Sequence, residues 1–273
     1  MRLLIAAALL MSPTLALAET PCAFSEPRSL DLNLDGARSV YFKVNANNLH
    51  LQAVPGERAS LTGRACAADA DRLKDLKVVQ TRDGDRLIVE LIGDSLLGFV
   101  FGNGDAYLDI HASVPETLRV QLDVGAGDVW STGGSTLSVD VASGDADIRN
   151  VRGRVTAKVN SGDLKLQDIG SLNLLKLNSG DVTAHQVRGP VTVGSVGSGD
   201  LTLATIEGPV EIGAIGSGDV DITRANGRVS VESIDSGDLD VQNIAGDFIL
   251  KREGSGDEHH RDVHGQVFVP RED

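Results

Sequence analysis

The chain has 273 residues, a formal net charge of −14 and an aromatic content of only 3%. An acidic surface of this kind disfavours nucleic acid and anionic membrane surfaces as partners, while leaving cation binding open. So few aromatic rings argue against a sugar-binding cleft, which relies on ring stacking flanked by polar groups.

The first residues have the layout of a secretory signal peptide over 1–18: Arg2, an apolar stretch from Leu3 to Leu10, then Ala16-Leu17-Ala18 at the expected cleavage point. Losing Arg2 takes the charge from −14 to −15. A membrane anchor is the alternative, but Ser12-Pro13 interrupts the apolar run well short of the roughly 20 residues a spanning helix needs. Cys22 follows Glu19-Thr20-Pro21 rather than small apolar residues, which does not suit a lipoprotein. No later segment predicts a membrane span, so an exported protein is expected, periplasmic or extracellular. In an oxidising compartment the two cysteines, Cys22 and Cys66, predict one disulfide, with two free thiols as the alternative. Neither lies in a CxxC pair, which argues against redox catalysis.

Residues 19–117 read as an irregular β-rich head. Val40, Phe42 and Val44 alternate with Tyr41 and Lys43, and Leu49, Leu51 and Ala53 alternate with His50 and Gln52. Such alternation buries one face of a strand. Asn47-Asn48 and Pro55-Gly56 mark turns, and Leu76 to Ile92 predicts a hairpin bent at Asp83-Gly84. A short helix is expected within Ala67 to Asp75. The apolar sequence Leu96-Leu97-Gly98-Phe99-Val100-Phe101 reads as a cover for an exposed end of the core, or as a partner site.

From Leu118 to the end, residues 118–273 are built on a repeat. One Ala-Gly-Asp and then seven Ser-Gly-Asp tripeptides end at Asp128, Asp145, Asp163, Asp181, Asp200, Asp219, Asp238 and Asp257, in steps of 17, 18, 18 and then 19 throughout. A constant period of this size is the mark of a solenoid. Aligned on Gly-Asp, the coils carry matching apolar columns: Val182, Ala184, Val187, Val191 and Val193, then Leu201, Leu203, Ile206, Val210 and Ile212. Each coil therefore holds two short strands separated by a glycine-containing corner. At about 4.8 Å per coil, eight coils make a rod about 35–40 Å long. Ile169-Gly170-Ser171-Leu172 displaces the apolar column by one residue, which predicts a local bulge. The exposed strand edges at the rod's ends need caps. The head supplies one; Glu258 and His260, in columns apolar elsewhere, supply the other.

An exported chain with a β-rich head, a segment like Val114-Pro115-Glu116-Thr117-Leu118-Arg119-Val120 and serial Ser-Gly-Asp coils resembles the bacterial β-strand-repeat family whose members are labelled adhesins or domains of unknown function. The resemblance covers essentially the whole mature chain, most specifically Leu118 to Asp257. It implies a single-stranded β-helix in or outside the cell envelope, and brings no catalytic residues with it.

Stacked carboxylates about 5 Å apart repel by roughly 1 kcal/mol per pair even in water. The aspartate column is therefore expected to be held by turn chemistry, with glycine in a backbone conformation closed to other residues and a Ser or Asp oxygen accepting a backbone N–H. A calcium ladder is the functional alternative, but calcium-binding rolls carry an aspartate motif twice per coil and this chain carries it once. His259, His260 and His264 beside Asp257, Glu258 and Asp262 are metal-ligand types, yet adjacent strand residues face opposite ways, so a solvated cap is expected. Trp130 is expected to pack at the junction with the head. No nucleophile elbow, phosphate loop or Cys/His pairing is present, and the aspartates recur with the repeat instead of breaking it. The sequence thus predicts an all-β single-stranded solenoid of about eight coils, not an enzyme and without a cofactor, serving as a scaffold or adhesin-like surface for an unidentified envelope or surface component. The alternatives are a carbohydrate-active β-helix enzyme and a calcium-responsive module.

Overall fold

The computed structural model describes residues 22–56, 59–93 and 106–270. The signal-peptide segment 1–18 and the apolar sequence Leu96–Phe101 lie outside the described residues.

Strands dominate the described chain, with one short helix. The N-terminal part contains β1 (Phe24–Leu30), β2 (Ser39–Asn45), β3 (Asn48–Val54), β4 (Ser60–Ala67), a 3-10 helix (Ala70–Asp75), β5 (Lys77–Asp83), β6 (Arg86–Ile92) and β7 (Ala106–Pro115). The helix expected over 67–75 is this single turn pair, started by Asp69, whose carboxylate accepts the Asp71 N–H at 2.9 Å. The hairpin expected over 76–92 is β5 and β6, antiparallel, with Gly84 at φ 60° in the bend. The coils follow with β8 (Arg119–Val124), β9 (Val129–Gly133) and β10 (Thr136–Val141). Next come the long strands β11 (Ala146–Val159) and β12 (Leu164–Leu177), each running through a whole coil. Then two strands per coil complete the rod: β13 (Val182–Val187), β14 (Val191–Val196), β15 (Leu201–Ile206), β16 (Val210–Ile215), β17 (Val220–Ala225), β18 (Val229–Ile234), β19 (Leu239–Ile244), β20 (Phe248–Leu250), β21 (Glu258–Val263) and β22 (Val267–Phe268).

First strands stack on first strands and second on second, all parallel and in register, giving a β-solenoid of about eight turns. Val182, Leu201, Val220 and Leu239 form one inward column, and Val191, Val210 and Val229 another; each is at most 1% exposed. β-Branched residues suit this interior because identical positions lie directly over one another on the pleat.

The parallel stack does not stop at Leu118. β2 pairs with β8 and β3 with β9, so residues 39–54 form a rung below the first Gly-Asp coil. On the other side, β2 pairs with β6 and β3 with β7, adding a rung from later in the chain. The coil of β2 and β3 is thus inserted between two coils that follow it in sequence. Antiparallel strands close this end: β5 on β6, and β4 on β7 with β1 outermost. At the far end Glu258 continues the Leu239 column and His260 the Val241 column, so the first strand of the last rung is largely polar, the form of cap its sequence suggests, while Val267 continues the Phe248 column on the second.

The displaced column near Ile169 is a pair of compensating irregularities. β11 carries one extra residue between Val151 and Arg154, and β12 carries one extra, Leu175, between Leu174 and Lys176. Leu175 is consequently turned out, 53% exposed. From this coil onward the second strand buries residues at the spacing of Leu172, Leu174 and Leu177 instead of that of Val155, Ala157 and Val159. The following corner regains the lost residue, between Val187 and Val191, and the period lengthens to 19.

Candidate functional site

The aspartate column is bonded between coils. The N–H of Asp163 donates to the Asp145 carboxylate at 3.2 Å, and the same bond recurs from Asp181, Asp200, Asp219, Asp238 and Asp257 to the preceding aspartate, at 3.1–3.3 Å. Each carbonyl is used as well: Asp163 accepts the Ala146 N–H at 2.9 Å and Asp181 that of Leu164 at 2.8 Å. Hydrogen bonds from N–H groups to an ionised acceptor are stronger than neutral ones and offset the repulsion between stacked carboxylates. Asp128 stands at the edge of this pattern, its N–H directed to Asn48 Oδ1 at 3.4 Å.

The glycines of the same tripeptide do not take the role expected of them. None of Gly144, Gly162, Gly180, Gly199, Gly218, Gly237 or Gly256 has a positive φ. What they provide is room: a Cβ on Gly199 would overlap the carbonyl oxygen of Gly180, and so on along the column. The left-handed backbone lies elsewhere, at Asn150, Asp168, Gln186, Thr205, Arg224, Asn243 and Asp262, with φ between 53° and 62°. This second column bends each first strand just before its last buried residue. Thr205, at φ 62°, is the strained member, since a β-branched side chain is rarely found there. Thr205→Asn is expected to raise stability by about 0.5–1 kcal/mol, read as a higher urea midpoint at unchanged slope.

On the outer face, the register places Thr183, Thr202, Asp221, Asp240 and His259 in one line. Asp221 is pushed above its ordinary 3.8 by partial burial first, and then by Asp240, Asp219 and Asp200. An acid whose folded pKa is raised contributes stability at low pH and loses it as pH rises through that pKa. Asp221→Asn should therefore stabilise the fold at pH 7 by about 0.5 kcal/mol after solvent screening. The advantage should shrink in high salt and vanish towards pH 3; a gain that persists in acid would contradict this electrostatic cause.

The same line, followed towards the head, ends in the most distinctive cluster among the described residues. Trp130 on β9 lies opposite His50 on β3, and His50 lies opposite His111 on β7. The His50 ring is sandwiched: its centroid is 4.5 Å from that of Trp130, with planes 7° apart, and 4.5 Å from that of His111, with planes 11° apart. Trp130 therefore does pack at the junction, although 40% of its surface stays exposed. Asp109, half-buried, presents Oδ1 3.4 Å from His50 Nε2 while Oδ2 pairs with Arg64 at 3.1 Å. Burial, and secondarily His111, hold the His50 imidazole below its ordinary pKa of 6.5. A hollow of about 140 Å³ beside this stack is lined by Trp130, Asp128, Asp145, Asp147, Asp163 and Lys165.

The terminal histidines are not gathered in this way. His259 stands beside Asp240, while His260 pairs with Glu258 at 3.0 Å and tilts against Phe248. In the sequence these histidines are the visible group of metal-ligand types, because they are neighbours in the chain, and the solvated cap expected of them fits their separation here. His50 and His111 become neighbours only through the parallel pairing of β3 with β7. Cys22 and Cys66 are joined, their Cα atoms 5.4 Å apart.

Comparison with known proteins supports this architecture. The profile of the Toastrack DUF4097 family matches residues 155–264, which fits the resemblance carried by the Ser-Gly-Asp coils. No curated protein matches the chain. Among solved structures, a Parabacteroides distasonis protein with the provisional name of lipid binding protein is similar at a TM-score of 0.53 and 17% identity, over 88% of this chain and 97% of its own. A Bacteroides fragilis protein provisionally named an adhesin aligns at 0.46 and 16% identity, over 90% of this chain and 97% of its own. The first of these likenesses shows the fold.

Proposed function

We propose that this chain, akin to the Toastrack DUF4097 family, is an exported scaffold whose solenoid presents a binding face to an envelope or surface component and catalyses no reaction. The observation that carries the reading is the outer line at the head junction. Along that line the coils place Asp147, Lys165, Thr183, Thr202 and Asp221, and the junction places the rings of His111, His50 and Trp130 side by side. A binding patch is expected where a surface departs from its repeat, and an exposed aromatic stack is a common anchor. The Cys22–Cys66 bond fits an oxidising compartment, and no helix among the described residues is long and apolar enough to cross a membrane. The aspartate column, bonded coil to coil, serves in this reading as structure.

A carbohydrate-active enzyme would need paired carboxylates with one pKa raised. A hollow of about 570 Å³ on the second-strand face does hold Glu211 and Glu232 near Lys251 and Arg228. Glu232, however, accepts a bond from Lys251 at 2.7 Å, and that cation holds its carboxyl below the ordinary range, the reverse of a general acid. The test is capture of envelope components on immobilised protein. Trp130→Ser should lose the captured set and Glu211→Gln should keep it. Equal capture by both would remove the binding face, and polysaccharide cleavage abolished by Glu211→Gln would establish the enzyme.

A further inference from the structure

We infer that His50, Asp109 and His111 form a binding site for a divalent transition metal ion of the zinc–copper–nickel class, on the outer face where β3, β7 and β4 meet. The inference stands on side-chain geometry and does not depend on the binding-face reading.

The strands do the assembling. β3 and β7 are parallel and in register, which sets His50 opposite His111 and Asn48 opposite Asp109. β4 runs antiparallel on the far side of β7 and brings Arg64 opposite Asp109. His50, His111 and Asp109 each offer one ligand atom, and these atoms all lie within 4.8 Å of one another. Among the described residues no other group of three such side chains meets that condition.

The distances suit a metal better than they suit hydrogen bonding. His50 Nε2 and Asp109 Oδ1 are 3.4 Å apart, long for a charge-assisted bond. Two ligands at about 2.0–2.1 Å from a tetrahedral ion stand about 3.3 Å apart, close to this separation. His111 completes the set by swinging off the His50 ring, on which it stacks at 4.5 Å, and its exposed position gives it the room to do so. The carboxylate is already oriented: Arg64 holds Oδ2 at 3.1 Å and leaves Oδ1 directed at His50. Trp130 covers the opposite face of the His50 ring and fixes its plane. Such outer partners hold metal-ligating groups in place and raise affinity.

Two imidazoles and one carboxylate select nitrogen-loving ions over calcium or magnesium, which prefer all-oxygen sites. Three protein ligands leave at least one position for water or for a group on a partner molecule. The nearby Arg64 opposes the positive ion, but its charge is already engaged with the carboxylate oxygen that the ion does not use.

Trp130 is the single tryptophan of the chain and stacks on a proposed ligand, so its fluorescence reports on the site directly. Untagged protein titrated with Cu²⁺ should show saturable quenching at one equivalent, and Zn²⁺ should compete with it. His111→Ala, an exposed change that leaves the strands intact by circular dichroism, should abolish the one-equivalent phase. Arg64→Gln should weaken binding about tenfold while keeping the stoichiometry. The double variant His259→Ala/His260→Ala should bind like the parent. Absence of saturable binding, retention of binding in His111→Ala, or its loss in the double variant would each overturn the assignment.

Discussion

Gly218→Ala is expected to cost about 3 kcal/mol or more, at or above the upper end of overpacking penalties, with the folded baseline itself disturbed. The Cβ would overlap the carbonyl oxygen of Gly199 in the coil below. A side chain in that position could rotate away, but this neighbour is backbone. The two coils are tied to each other around that contact, the Gly218 N–H donating to Gly197 O at 2.9 Å and the Asp219 N–H to the Asp200 carboxylate at 3.2 Å. Relief requires two coils to separate, and in a solenoid each coil is stabilised only by its neighbours, so damage at the centre uncouples the two halves. Gly84→Ala is the control. Gly84 has a φ of 60° but open space around its Cβ position, so the substitution should cost only about 1 kcal/mol of backbone strain. Urea denaturation of both variants decides the matter: equal costs would mean that conformation, not contact, selects glycine in the column.

That contrast also explains what could be read from the sequence. The Ser-Gly-Asp register was legible because contact between backbones at each corner admits only glycine, so the residue type recurs with the geometry. The bulge was legible for a similar reason, since a slip in a buried column is visible wherever Ile169 and Leu172 come one residue too close. The left-handed column was not legible. Four of its seven occupants are Asn or Asp, which tolerate that conformation, but Gln186, Thr205 and Arg224 are not, and the stacking of neighbouring coils imposes it on them. Residue preference is then too weak to mark the site. The order of the N-terminal rungs was hidden for a different reason. Alternation at Val40, Phe42 and Val44 shows that a strand has one buried face, but not that β2 and β3 slip between β6–β7 and β8–β9. The His50–His111 pair was hidden with it, because each histidine alone is an unremarkable outward residue of an alternating strand. Only the long-range pairing makes a cluster of them.

Removing the Cys22–Cys66 bond is the other change with a large expected effect. Cross-linking across a separation of 44 residues stabilises by about 4 kcal/mol on the chain-entropy description. The enclosed segment contains β1 to β4, and these do not share one fate. β2 and β3 are held between other rungs on both sides, by β6 and β8 and by β7 and β9. β1 has only β4, is largely exposed, and is otherwise tied by Arg28, which donates to the Leu73 and Leu76 carbonyls at 2.7 and 2.9 Å. The double variant Cys22→Ala/Cys66→Ala should therefore fail in two stages. Hydrogen exchange should show β1 and the 3-10 helix losing protection first, with the inner rungs unchanged. Global unfolding should then fall by less than the full 4 kcal/mol, because an edge strand that has already opened no longer shares in the cooperative transition. Uniform loss of protection from β1 through β9 would mean that the bond staples the whole N-terminal end of the rod, and the full entropic effect should then appear in the global stability.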